Sequence, residues 1–216
     1  MPEINIGTTL SNNVVAVATF KPKFNPKLGK IFSDELNVMG TAFWASDKKV
    51  LTTCAHVVND LIKFPVELAG LLVIGYKGRF YRATVGIIDT QHDLATLEII
   101  DQFDLQQVTG ISVVSDYVPV STKVAWAGHP LGNFLLDQIH QPTYNEGVVG
   151  VDKRIEAHRK CIQISGTVIG GYSGSPVIDR DNGNILGVVS NGPQNSGIFM
   201  AISFEHVAAL INLKVS

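Results

Sequence analysis

The sequence is short of cysteine, of net charge and of long apolar runs, and each shortage removes a class of protein. Two cysteines, Cys54 and Cys161, occur in 216 residues. They are too few for the disulfide framework of a small secreted domain, and their separation matches no zinc-ligand spacing. Both read as buried free thiols, which goes with a reducing, cytoplasmic compartment. Seventeen Lys and Arg against nineteen Asp and Glu leave a formal charge of -2. No basic stripe is available for a phosphate backbone, so no nucleic-acid partner is expected. The longest apolar stretch, around Leu68 to Tyr76, is about half of the ~20 residues a spanning helix needs, and no membrane partner is expected. Met1 to Gly7 holds one acid, no Lys or Arg and no following apolar core, so no secretory leader is expected. His140, His158 and His206 have no neighbours at metal-ligand spacing, and neither a metal nor a cofactor is expected.

What the chain does contain is core material. Hydrophobic residues make up 45% and charged residues 17%, the balance of a globular protein rather than a disordered one. The length, about 1.4 times a ~150-residue domain, suits one large all-β domain or two lobes sharing a core. Short runs rich in Val, Ile, Thr and Phe, bounded by Gly, Pro, Asn and Asp, predict strands. In the first half they fall at 13–20, 41–45, 49–54, 79–85 and 94–100, and in the second at 123–127, 146–151, 160–164, 176–179, 185–190 and 198–202. Strand after strand without amphipathic helices between them argues for an antiparallel sandwich or barrel. Lys21 to Met39, with two prolines and several lysines, reads as an exposed loop. Ser203 to Leu213 carries a Ser followed by apolar residues at helical spacing and predicts a C-terminal helix. Gly110 to Pro119 is the expected seam between an N-terminal lobe, 14–110, and a C-terminal lobe, 120–216, of a single 1–216 domain. Trp44 and Trp126, inside strand patterns, are expected in the core.

The sharpest local feature is Gly170-Gly171-Tyr172-Ser173-Gly174-Ser175-Pro176. Glycines around a Ser allow a tight turn whose consecutive N–H groups point into one small space beside the hydroxyl. Such a turn suits acyl transfer, with the Gly171 and Ser173 amides as an oxyanion hole. A serine hydroxyl needs a base, and His56, where the β run Leu51 to Cys54 turns into a short helical stretch, is placed to be one. The imidazole in turn needs a carboxylate to fix its tautomer. Asp93, just before the apolar strand at Leu94, is the candidate, and Asp89 competes with it. The order His, Asp, Ser differs from the subtilisin and α/β-hydrolase orders. His129, before Pro130, is read as capping a turn.

These segments together resemble the trypsin-like serine peptidases, and within them the HtrA/Deg type of protease domain. The likeness is carried by Gly40-Thr-Ala-Phe, Thr53-Cys-Ala-His-Val-Val, His92-Asp-Leu-Ala-Thr-Leu, Ala127-Gly-His-Pro-Leu-Gly, Glu146-Gly-Val-Val-Gly, Gly171-Tyr-Ser-Gly-Ser-Pro, Ile185-Leu-Gly-Val-Val-Ser and Gly197-Ile-Phe-Met-Ala-Ile-Ser. The resemblance implies two antiparallel six-stranded β-barrels with a short C-terminal helix and an active site in the cleft between them. It also implies His56 as general base, Asp93 as its orienting carboxylate, Ser173 as nucleophile, and the Gly171 and Ser173 amides as oxyanion hole.

The chain departs from the pattern at Tyr172, where trypsin has an Asp that receives a newly cut N-terminus, and at Ser175, where relatives have Gly. Activation by N-terminal cleavage is therefore not supported, and no PDZ module fits within these residues. By resemblance the substrate-binding walls are Thr167, Val168 and Gly170, then Ser190, Asn191 and Gly192, then Phe199. No acid lies in them, and Phe199 stands where relatives often have Gly. The expectation is a shallow pocket for small or medium aliphatic residues in extended protein or peptide substrates. The alternative is a catalytically silent protease fold acting as a binding module. The residues do not set an oligomeric state.

Overall fold

β-branched strands with one apolar face must bury that face against another layer, and a sheet closed on itself does so without leaving edges. In the computed structural model, which describes residues 5–25, 30–113, 118–131, 141–193 and 196–215, the strands close twice. Helix α1 (Ile6–Asn13) leads into β1 (Val14–Asn25), β2 (Lys30–Ala45) and β3 (Val50–Cys54), and helices α2 (Ala55–Lys63) and α3 (Val66–Ala69) precede β4 (Leu71–Tyr76), β5 (Arg79–Asp89) and β6 (Leu94–Ile99). These strands form a closed antiparallel barrel in the order β1-β2-β3-β6-β5-β4. A second barrel, in the order β10-β11-β12-β9-β8-β7, is built from β7 (Lys123–Gly128), β8 (Thr143–Glu156), β9 (Arg159–Ser165), β10 (Pro176–Asp179), β11 (Ile185–Asn191) and β12 (Ile198–Ser203), and helix α4 (Phe204–Val215) closes the chain. The expected all-β double barrel with a short terminal helix is the observed fold. No helix among the described residues is long and apolar enough to cross a membrane.

The chain passes between the barrels after β6, touching the first through a bridge from Ile111 to Ala45 and the second through a bridge from Val113 to Ile185. The two are welded by a shared apolar cluster, in which Phe43, Trp44, Leu94 and Val58 of the first barrel's half join Ala125, Ile178, Val188 and Ile202 of the second and Val207, Leu210 and Ile211 of α4. A second cluster, around Trp126, Ile164, Tyr172, Val177 and Phe199, fills the second barrel. Both tryptophans are buried. Trp44 stacks on Phe103 and meets Tyr76 edge-on, and Trp126 meets Phe199 edge-on at 4.9 Å between centroids.

The structure corrects one expectation and adds an element. Lys21 to Met39 is not a simple loop: β1 and β2 continue as a hairpin arm, with Lys23 opposite Phe32 and Asn25 opposite Lys30. The register slips between Lys21 and Lys23, at Pro22, a residue with no N–H to give the ladder. The proline is absorbed by an irregularity instead of ending the strand. Helix α1 is also new. Its N-terminus is capped by Asn5, whose side chain accepts from Thr8 N–H at 3.0 Å. Its last residue, Asn13, is buried and fully used: its amide donates to Thr9 O and Thr109 Oγ1, and its carbonyl accepts from Thr109 and Gly110 N–H at 3.1 and 2.8 Å. One side chain thus ties α1 to the interbarrel connection.

Because truncation leaves the part-buried Thr109 and Gly110 N–H groups without their acceptor, Asn13→Ala is expected to lower unfolding free energy by about 1–2 kcal/mol. Urea denaturation checks this, and a change within about 0.5 kcal/mol would contradict it.

Candidate active site

Strand β3 ends at Cys54 and the chain turns at once into α2, which puts His56 in the first turn of a helix, on the cleft side, with its side chain 46% exposed. Asp93 sits at the end of the β5–β6 turn with φ +59°, a left-handed conformation that Asp tolerates better than most residues. That bend aims the carboxylate at α2. Its Oδ1 accepts from the His56 backbone N–H at 2.9 Å and its Oδ2 faces His56 Nδ1 at 2.8 Å. An ionised carboxylate only accepts, so Nδ1 carries the proton and Nε2 is left as the basic nitrogen. The competing Asp89 is otherwise engaged: it accepts from His92 N–H and pairs with His92 Nδ1 at 2.6 Å.

Asp93 has two further partners from the second barrel. Ser190 Oγ donates to Oδ2 at 3.0 Å, and Arg159 Nη1 lies 3.1 Å from the same oxygen. Burial alone raises the Asp93 pKa, but hydrogen bonds from His56 and Ser190 prevail, and the carboxyl sits below its ordinary value. For Arg159 burial works toward deprotonation, and the Asp93 contact outweighs it and raises the pKa. The third cleft member, Ser173, is held by its backbone: its carbonyl accepts from Thr41 N–H at 2.9 Å. Its hydroxyl donates to Ser190 O at 3.1 Å, so in this rotamer the proton is not shared with His56. Ser190 is the common member, with its carbonyl on Ser173 and its hydroxyl on Asp93.

The turn before Ser173 requires its glycines. Gly171 has φ +101°, and a Cβ there would lie 2.1 Å from His129 O; Gly174 has φ +88°, and a Cβ there would lie 2.0 Å from Thr41 O. Gly170 O accepts from Leu131 N–H at 2.8 Å, and Gly171 O accepts from Thr41 Oγ1. In a trans peptide C=O and N–H point opposite ways, so the Gly171 N–H faces away from Leu131. Neither it nor the Ser173 N–H donates to any described residue. Two unpaired amides beside a hydroxyl are what an oxyanion requires. Tyr172 carries no carboxylate to pair with an α-amine. It is buried among Val118, Trp126 and Val177, with its hydroxyl accepting from Asn145 Nδ2, and so pins the turn from behind. Ser175 is buried, its N–H donating to Tyr172 O.

The residues assigned to substrate binding do not all line open space. Phe199 is wholly buried in the second core, and Val168 packs on the same cluster. A Cβ on Gly192 would meet Phe199 Cα and Cβ at 2.9 Å, so the root of that side chain backs the wall while its ring packs in the core against Trp126. Thr167, Gly170, Asn191 and Gly192 are accessible. One carboxylate missed by the sequence reading stands close by: Glu156 accepts from Asn191 Nδ2 at 3.3 Å and pairs with Arg159 at 3.4 Å. Glu156 and Arg159 flank a two-residue turn, a pattern visible in the sequence, but nothing in it reaches across to residue 93. His129 is buried, its N–H donating to Thr41 Oγ1; His140 lies outside the described residues.

Ligand atoms of Cys54, His56 and Asp93 lie within 4.8 Å of one another. Metal binding needs a thiolate, whereas Cys54 is fully buried, donates to Val189 O at 3.2 Å, and has its pKa pushed well up by burial and by Asp93. It belongs to the core. The Cys161 thiol is raised by burial as well.

In comparisons with known proteins, the model of the trypsin-like peptidase domain matches residues 40–188. No curated protein matches the chain.

Two outcomes follow from this geometry. Gly171→Ala, with strained φ and a clash against backbone, is expected to lower any Ser173-dependent reaction rate at least ~100-fold by turning one amide away, read from labelling rates of folded protein. Asp93→Asn is expected to cost about 3 kcal/mol at neutral pH. Because the folded-state pKa of Asp93 is depressed, its stabilisation is present above the unfolded value of about 3.9 and fades as pH falls through the folded value. The gap between wild type and Asp93→Asn should therefore close below about pH 4; a gap that widens there contradicts the assignment.

Proposed function

The chain belongs to the trypsin-like peptidase family, and on that premise we propose that it is a serine endopeptidase working through His56, Asp93 and Ser173 and an acyl-enzyme. The observation that carries this is the Asp93–His56 pair, 2.8 Å apart, in the same Ser190-centred network as a serine flanked by two unpaired amides. In the first step Ser173 Oγ leaves the Ser190 carbonyl and turns to His56 Nε2. It then attacks the substrate carbonyl carbon while its proton passes to Nε2. The oxygen of the tetrahedral species takes the negative charge beside the Gly171 and Ser173 N–H groups, a contribution of ~3 kcal/mol per donor. As the C–N bond breaks, the imidazolium gives its proton to the leaving amine. Water deprotonated by the same imidazole then releases the acyl group and restores the serine.

Extended peptide segments are recognised by main-chain hydrogen bonds, and pockets select side chains. Phe199 behind Gly192 supports a shallow pocket for small or medium aliphatic residues before the cut. Glu156 adds no free charge, since its oxygens serve Asn191 and Arg159, and a Lys or Arg side chain gains no partner there.

One observation favours the silent binding module instead: the Ser173 hydroxyl is spent on Ser190 O. A fluorophosphonate separates the two readings, because it needs both an activated hydroxyl and a formed oxyanion site. Wild type is expected to be labelled on Ser173, with labelling abolished in Ser173→Ala and reduced by at least ~1,000-fold in His56→Ala. Unlabelled, folded wild type would establish the silent module. For specificity, Phe199→Ala should move peptide-library preference toward larger apolar residues while costing about 3–5 kcal/mol of stability; an unchanged profile would contradict the pocket assignment.

A further inference from the structure

A buried cation on the orienting carboxylate is the feature that the double barrel and a three-residue mechanism leave unexplained. Arg159 opens β9 with its side chain only 8% exposed. Its Nη1 lies 3.1 Å from Asp93 Oδ2, and its Nη2 donates to Ser190 Oγ at 3.1 Å and Glu156 Oε2 at 3.4 Å. Nε finds no partner among the described residues. Burying a guanidinium is costly unless its partners repay it, and these are Asp93, Ser190 and Glu156.

The backbone that presents Arg159 is itself held in an uncommon conformation. Glu156 pairs with Arg159 across a turn in which Ala157 has φ +47° and His158 φ +70°. Such a turn favours Asn and Gly, and other residues there store strain that surrounding contacts must hold. Two contacts from α4 do so next door: Lys160 N–H donates to His206 Nε2 at 3.0 Å, and Lys160 Nζ pairs with Glu205 at 2.6 Å.

From this geometry we infer that Arg159 is a positioning residue: it clamps Asp93 and Ser190 from the second barrel and takes a share of the Asp93 charge that would otherwise serve His56 alone. The inference rests on the peptidase reading for its catalytic consequence, though not for its electrostatics. Asp93 Oδ2 receives His56 Nδ1, Ser190 Oγ and Arg159 Nη1 at 2.8, 3.0 and 3.1 Å. A fixed cation on that oxygen disfavours a second cation on the imidazole. Removing Arg159 should therefore leave the carboxylate freer to stabilise charge on the imidazole.

The other ionisable groups around the carboxylate are Cys54 on β3, Asp89 and His92 in its own turn, Cys161 on β9 and Glu156 on β8, with His206 and Glu205 of α4 behind His92. The charged groups that touch Asp93 itself are, among the described residues, His56 and Arg159. Glu156 draws on the same guanidinium, so its removal should release more of the positive charge toward Asp93.

The test is an NMR titration of the His56 ring in the full chain, for wild type, Arg159→Met, Arg159→Lys and Glu156→Gln, with fluorophosphonate labelling rates measured across the same pH range. Arg159→Met, which keeps bulk and loses charge, should raise the His56 midpoint by about one unit. Arg159→Lys should keep the midpoint near wild type but, lacking the fork, slow labelling at its plateau by about ten-fold. Glu156→Gln, a change at a more exposed residue, should lower the midpoint by a few tenths of a unit. Should Arg159→Met fail to fold, the Glu156→Gln shift and the Lys rescue decide. Midpoints indifferent to all three substitutions, or moving opposite to these signs, would overturn the proposal. The titration reads charge coupling without turnover, so an unlabelled wild type defeats the peptidase reading while leaving the Arg159 result standing.

Discussion

The Asp93 carboxylate is where the two barrels meet as charges, and the site is organised by the need to satisfy it. A largely buried anion has to be matched by donors. Among the described residues, the first barrel supplies the His56 backbone and ring, through the sharp β3–α2 turn. The remaining donors come from the second barrel, Ser190 on β11 and Arg159 on β9. Relative placement of the barrels is thereby coupled to the orientation of the imidazole. Through the Ser190 carbonyl the same coupling reaches Ser173. A shift between the lobes would not merely widen a cleft; it would leave one or more charges unmatched.

The second constraint is conformational. The loop from Gly170 to Ser175 has left-handed backbone at Gly171 and Gly174, with neighbouring carbonyls too close for any Cβ, and among the described residues the Gly171 and Ser173 N–H groups donate to none. Behind Ser173 the loop is held by an aromatic ring in the core, the Tyr172 hydroxyl on Asn145, and Thr41, which bonds Gly171 O through its side chain and Ser173 O through its backbone. Apolar packing gives such an anchor little dependence on pH.

Much of this was legible in the chain. Short β-branched runs and their spacing carried the all-β class and most strands, because local propensity and burial agree there. Ser173 was recognisable from its glycines, and His56 and Asp93 from their strand-end settings. Where sequence signals misled, tertiary pairing overrode them. Pro22 and the lysines around it suggested a loop, but β1 and β2 pair through the segment by slipping register once. Helix α1 carries too little apolar periodicity to declare itself and is held by Asn13 bonds to residues 109 and 110. Resemblance places Phe199 among the pocket walls, whereas its ring packs into the core against Trp126. Arg159 and Glu156 were invisible as site residues, because their meaning depends on Asp93 and Asn191, which are distant in sequence.

The central claim, that Ser173 is a nucleophile served by His56 with an oxyanion site already formed, is tested most directly by trapping the acyl-enzyme. The chain is mixed with a p-nitrophenyl ester of a small aliphatic N-acyl amino acid, quenched in acid within the first turnover, and its intact mass and modified peptide are read. The account predicts one added acyl group on Ser173, formed in step with a burst of nitrophenol and missing when position 173 is alanine. Folded protein that stays unmodified, or acylates at a lysine or cysteine instead, would contradict it.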